Sequence, residues 1–190
     1  MTPDSVFAPV GIVLLHYPVY DRNGRKVVSA ITNLDLHDIA RAAKTFGLFR
    51  YYVVTPVTGQ QQMAAEIIGH WREGWGATYN PKRKVALDQV RVKDTLDEVV
   101  GEVTTEYGEA PRLVATGATA VATTGYSDLR EKLRQTTQPH LLIFGTGWGL
   151  ADEIMARADE ILPSVKGTGE YNHLSVRSAA SIILDRLFGR

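Results

Sequence analysis

Short apolar runs rich in β-branched residues alternate with helix-periodic stretches along nearly the whole chain. No other feature restricts the fold as strongly. Val10–His16, Tyr51–Thr55, Arg112–Ala115 and His140–Phe144 read as strands; Val85–Val92 and the short Asp159–Leu162 complete six in all. Leu34–Phe46 reads as a helix with Leu36, Ile39, Ala40 and Ala43 on one face, the spacing of a 3.6-residue turn. Thr58 is placed to cap a helix that reaches about Trp71. Asp94 begins another, with Leu96, Val99, Val100 and Val103 as its core face. Ser127 starts a helix to Gln135, and Leu174–Phe188 is a strongly apolar last helix. The strands lack polar alternation, as expected of strands buried on both faces. The predicted fold class is α/β, one domain over residues 1–190, with a mostly parallel sheet and helices on both faces.

Composition narrows the chemistry. There is no cysteine, which excludes disulfides, thiolate metal sites and cysteine nucleophiles. The five histidines are scattered and make no ligand pattern, so no metal is expected. No apolar run is long enough to span a bilayer. Met1 to Pro9 lacks the basic start and apolar stretch of an export signal, so a cytoplasmic protein is expected. Formal net charge is zero, against a surface that is basic overall. Two local basic clusters stand out, Arg22, Arg25 and Lys26, and Lys82, Arg83 and Lys84; each reads either as a solvated loop or as a patch for an anionic partner.

In a parallel sheet, ligands bind beyond the carboxyl ends of the strands. Three such segments lie in the C-terminal half: Ala115-Thr116-Gly117-Ala118, Gly145 to Leu150, and Pro163 to Ser175. The second carries Gly145, Gly147 and Gly149 straight after an apolar run. Glycine weakens a strand, so this cluster implies a sharp bend or a close approach. A dinucleotide fingerprint does not fit, because the spacing is G-x-G-x-G and it follows the fifth strand rather than the first. A phosphate-binding P-loop and a G-x-S-x-G nucleophile elbow are also absent.

Three segments read together are more specific. "RAAKTFG" (Arg41 to Gly47), the glycine loop with Leu150, and "ILPSVKGTGEYNHLSVRSAASIIL" (Ile161 to Leu184) resemble, in order and spacing, the SpoU-like branch of the SPOUT superfamily of S-adenosylmethionine-dependent RNA methyltransferases. Arg41, Ala43, Phe46 and Gly47 match the first motif. Gly145, Gly147, Gly149 and Leu150 match the second. Leu162-Pro163 and Leu174-Ser175-Val176 match the third. The chain departs from the branch at Asp35, where asparagine is usual, at His37, where glycine is usual, and at His173, in the place of a late asparagine. No glutamate accompanies Thr146 in the glycine loop.

The resemblance implies a C-terminal trefoil knot, a homodimer with the active site near the subunit interface, and transfer of a methyl group to RNA. The expected acceptor is a ribose 2′-O, with ribosomal RNA favoured over tRNA. The alternatives are base methylation, such as N1 of guanine in tRNA, and a non-catalytic RNA- or protein-interaction module on the same scaffold. It further implies that S-adenosylmethionine lies against Ala115, Thr116, Gly117, Gly145, Thr146, Gly147, Gly149, Leu162, Leu174 and Ser175. Arg41 and His173 are the implied catalytic pair. A guanidinium deprotonates too reluctantly to serve as a base, so Arg41 is expected to hold a phosphate, and His173 either accepts a proton or orients the acceptor. His37, one turn before Arg41, shares its helix face. Trp148 is the expected substrate-facing aromatic, whereas Trp71 and Trp75 read as core or interface anchors.

Overall fold

The computed structural model describes residues 7–190, so most of the stretch read for an export signal lies outside the described residues. In chain order the elements are β1 (Val10–Leu15), β2 (Val19–Tyr20), β3 (Lys26–Val27), α1 (Asn33–Thr45), β4 (Arg50–Val54), α2 (Thr58–Arg72), α3 (Trp75–Tyr79) and α4 (Pro81–Leu87). There follow β5 (Val90–Lys93), α5 (Leu96–Tyr107), β6 (Arg112–Ala115), α6 (Tyr126–Gln135), β7 (His140–Gly145), α7 (Asp152–Met155), β8 (Glu160–Ile161) and α8 (Val176–Phe188).

Six strands form one sheet in the order β5-β4-β1-β7-β6-β8, and every pairing is parallel. Alternate residues of a strand point to opposite faces. Ile12 and Leu14 of β1, with Tyr51 and Val53 of β4, join the core under α1, α2, α4, α6 and α8. Val13, Leu15, Tyr52 and Val54 point the other way, into a second core under α5 and α7. Both faces of β1 are therefore apolar, which is why its sequence shows no alternation.

The third strand is corrected by the structure. Val85–Val92 divides into the end of α4 and the start of β5. The reason is local: the Asn80 side chain accepts from the Arg83 amide at 3.1 Å and Pro81 occupies the first helical turn, so Asn80-Pro81 starts a helix where the apolar residues alone suggested a strand. Three helix starts shift similarly. Thr58 is the first residue of α2 rather than its cap, α5 is capped by Thr95 rather than begun at Asp94, and α6 starts after Gly125. Ser175 caps α8, its Oγ accepting from the Ser178 amide. The hairpin β2–β3 and the short helices α3 and α7 had no counterpart in the sequence reading.

Candidate functional site

β7, β6 and β8 are adjacent and parallel, so the segments following them leave the sheet at one edge, side by side. These are the three segments that the sequence singled out. Ala115 ends β6, fully buried. The amide and hydroxyl of Thr116 both donate to the Ile143 carbonyl at 3.0 Å, which ties the start of this loop to β7. The Leu162 amide donates to the Ala115 carbonyl at 3.0 Å, and Leu162 is fully buried. Leu174 is exposed and Ser175 is half-buried at the helix cap.

The glycine loop bends for reasons that the structure resolves one residue at a time. A Cβ on Gly145 would stand 2.8 Å from the Leu150 amide nitrogen. Gly147 has φ +58°, and a Cβ there would stand 2.8 Å from the Tyr20 carbonyl oxygen. What comes close at these two positions is the protein's own backbone. The Trp148 amide donates to the Tyr20 carbonyl and the Tyr20 amide to the Gly149 carbonyl, each at 2.9 Å, so β2 braces the loop. Gly149 is different: φ is +112°, and nothing lies within 4 Å of where a Cβ would be. Of the loop's three glycines, only Gly149 has open space where a Cβ would be. Trp148 is 66% exposed beside it.

Beneath the loop lies a polar network that bridges distant parts of the chain. Thr146 Oγ1 donates to the Leu15 carbonyl at 3.2 Å and also meets Ser29 Oγ in a short contact. Ser29 Oγ in turn pairs with His16 Nδ1 at 2.9 Å. His16 is fully buried, and Nε2 meets no partner among the described residues. Burial lowers its pKa to about 4, with Asp35 opposing, so the ring is neutral at neutral pH.

On the other side of the sheet edge, α1 and α8 enclose an open groove that includes Asp38, Arg41, Phe46, Arg177 and Ser181. Arg177 is held by Asp35 at 3.3 Å and by Asp38 at 3.7 Å. Asp35 is nearly buried, and Thr32 Oγ1 donates to it at 2.6 Å. Its charge is thus met by an arginine from α8. Arg41 is exposed and makes no ion pair among the described residues. His37 does not share this groove: its ring meets Trp71 edge-on at 5.5 Å, and its pKa is lowered first by burial and then by Arg83. His173 sits exposed in the chain before α8, its ring 6.4 Å from that of Tyr171. The groove takes in Arg41 without His173.

A family model described as SAM-dependent RNA methyltransferase matches residues 9–189. The chain belongs to this family. The chain is 42% identical, over 93% of its own length, to a protein of Oleidesulfovibrio alaskensis named tRNA (guanine-N(1)-)-methyltransferase, yet it spans only 41% of that relative. An uncharacterized Aquifex aeolicus protein is 42% identical over 100% of this chain and 91% of its own length. Among solved structures, the SpoU methyltransferase AviRb of Streptomyces viridochromogenes with bound AdoMet has a TM-score of 0.60 at 17% identity, covering 96% of this chain and 57% of that one. The α/β fold and the methyl donor S-adenosylmethionine follow, and the SpoU likeness implies the trefoil knot.

In this family member, then, the fold brings Ala115, Thr116, Gly117, Gly145 to Gly149 and Leu162 to one sheet edge and carries Arg41 on α1. Sequence reasoning missed Arg177 and Ser29. The sign of Arg177 was available in Asp35: an acid in a helix's first turn, headed for burial, needs a cation. Ser29 lay in a stretch with no periodicity to place it. Among the described residues no group of three or more His, Asp or Glu side chains could hold a metal, and no helix is long and apolar enough to cross a membrane.

Proposed function

We propose that this chain methylates tRNA at a base nitrogen, N1 of guanine, with S-adenosylmethionine held at the edge of β7, β6 and β8. The observation that carries the substrate is the name of the Oleidesulfovibrio relative, at 42% identity over nearly all of this chain. It displaces the ribosomal RNA ribose expected from the motifs.

The fit of the cofactor rests on the loop geometry. The open space beside the Gly149 Cα gives a ligand room to approach. Leu162 supplies an apolar floor. When bound, S-adenosylmethionine supplies an activated methyl group. The protein's own residues have to align the acceptor, exclude water and take a proton. Alignment alone is worth roughly 7–11 kcal/mol in favourable cases. Arg41, with no acidic partner among the described residues, is available to a phosphate of the incoming RNA, and its planar fork suits two-point contact. His173 is the group nearest in kind to a base, on an exposed segment that the acceptor can meet. His16 is not a candidate, because it is buried and held by Ser29.

A second reading, ribose 2′-O methylation, is favoured by Arg41 in its SpoU-like motif. The remaining length of the Oleidesulfovibrio relative could also carry the guanine activity of that protein. Incubating the purified chain by itself with methyl-labelled S-adenosylmethionine and unmodified tRNA, followed by nucleoside mass spectrometry, separates the readings. We expect 1-methylguanosine. A 2′-O-methylated nucleoside would replace the first reading with the second, and label confined to a parallel incubation with unmodified ribosomal RNA would favour that RNA as the substrate.

A further inference from the structure

We propose that α3 and α4 form a docking platform for unstacked RNA bases, continuous with the Arg41 groove; it rests on the reading that RNA is the substrate. The platform begins with an aromatic pair that the fold leaves outside. The Trp75 and Tyr79 rings stack at 4.7 Å and 20°, and the residues are 69% and 68% exposed. They are four apart on a helix, hence neighbours on one face. Two glycines hold this helix against α2. A Cβ on Gly76 would stand 2.7 Å from Trp71 Cε3, and one on Gly74 would stand 2.8 Å from the His70 carbonyl oxygen. Close seating of α3 on Trp71 therefore turns Trp75 outward rather than into the core. The sequence reading took Trp71 and Trp75 alike as core or interface anchors; Trp71 packs against the core, whereas Trp75 lies outside it.

Cations flank the pair. Lys82, Arg83 and Lys84 follow on α4, and the nearby Asp88 is already paired with Arg72 at 3.1 Å. On a chain of zero net charge this is a local excess. Arg83 lies over the Trp71 ring at 4.2 Å, and Trp71 meets His37 of α1. Both Arg83 and Arg41 act on His37 to lower its pKa, so the basic surface runs from α4 to α1. α4 also packs directly against α1. Stacking aromatics beside a cationic track is how proteins grip single-stranded or loop nucleotides, because every base offers a π-face. Protein–protein interfaces are depleted in lysine, whereas here exposed Lys82 and Lys84 flank the aromatic pair.

The test uses the whole chain. Trp75→Ala/Tyr79→Ala and Lys82→Gln/Lys84→Gln are compared with wild type for binding a short mixed-sequence single-stranded RNA and an unmodified tRNA. Calorimetry with S-adenosylmethionine and light scattering accompany each variant. Losing the aromatic pair should weaken RNA binding at least roughly fivefold and raise the KM for tRNA more than it lowers kcat. Cofactor affinity and particle mass should not change. Losing the two lysines should reduce the slope of log affinity against log salt by about 1.4 on the single strand, at about 0.7 per phosphate contact. Unchanged RNA affinity in a variant that still binds cofactor overturns the platform while leaving the methyltransferase reading intact. A fall in particle mass with RNA affinity unchanged also overturns it and assigns the surface to a protein contact. If wild type binds neither RNA, the platform and the tRNA reading fall together.

Discussion

In the loop after β7 the protein answers its own polar groups: Thr146 is bonded to Leu15 and Ser29, Trp148 and Gly149 to Tyr20, and Ser29 to His16. In the groove between α1 and α8 the opposite holds, for Arg177 is spoken for by two aspartates while Arg41 is exposed and has no carboxylate partner among the described residues. The first arrangement costs little to keep still, because few backbone groups wait for a partner. The second keeps a charge in reserve for something that arrives. A small, flexible methyl donor benefits from a loop already shaped by β2. A large polyanion benefits from a cation that is solvated and free to reach. On the proposed reading the difference teaches that the two substrates are met by different physics, preorganised main chain on one side and, among the described residues, a charge without an ion-pair partner on the other.

The comparison breaks most visibly at Arg41. Arg41→Ala should leave S-adenosylmethionine affinity nearly unchanged and lower methyl transfer at least roughly 100-fold, since the lost contact acts on the aligned acceptor rather than on cofactor binding. Equal losses of cofactor affinity and turnover would merge the two regions into one site.

The braced side is probed by pH. His16 in the unfolded chain takes a proton below about pH 6.5, whereas in the fold its pKa is lowered to about 4. Between these values the unfolded state binds more protons, so stability falls as pH falls. The contribution reaches at most about 3 kcal/mol at 1.36 kcal/mol per unit. Urea midpoints at pH 7 and pH 5 should therefore differ in wild type and differ less in His16→Asn, which cannot titrate there. His140 and His37 are also lowered by burial and leave some slope behind. An undiminished slope in the variant would place the dependence elsewhere.

Gly147→Ala sharpens the claim that β2, rather than a ligand, demands glycine at that position. A side chain at φ +58° and against the Tyr20 carbonyl should cost about 1–3 kcal/mol in the absence of any cofactor. If the apo protein keeps its stability and only cofactor binding suffers, the demand comes from the ligand after all.

The smallest effect concerns Asp35. Arg177→Leu leaves a nearly buried carboxylate without its cation, and about 1–2 kcal/mol of stability should go, less than for a fully enclosed pair because Arg177 is 34% exposed. Adding Asp35→Asn should restore most of it. No rescue would mean that Arg177 acts through packing alone.

Much of this was legible in the sequence. Strand-and-helix alternation yielded the parallel sheet because both faces of β1 and β4 are buried, and a doubly buried strand shows itself as an unbroken apolar run. Arg41 and the glycine loop were found by motif. Three things were not legible. The hairpin β2–β3 has two-residue strands, too short for periodicity, so the bracing of Gly147 by Tyr20 could not be foreseen. Asn80-Pro81 converted an apparent strand into a helix. The roles of Ser29 and Arg177 depend on contacts across more than a hundred residues, with Thr146 and Asp35 respectively, which local pattern cannot carry.

The division of labour between the two regions is most directly read by amide hydrogen exchange with each substrate added separately. S-adenosylmethionine should protect the amides following β6, β7 and β8, at Thr116–Gly117, Gly145–Leu150 and the approach to α8, and leave α1 and α4 unchanged. Unmodified tRNA should protect α1, α4 and the start of α8. Protection by S-adenosylmethionine confined to the α1–α8 groove, with none at the glycine loop, would contradict the account.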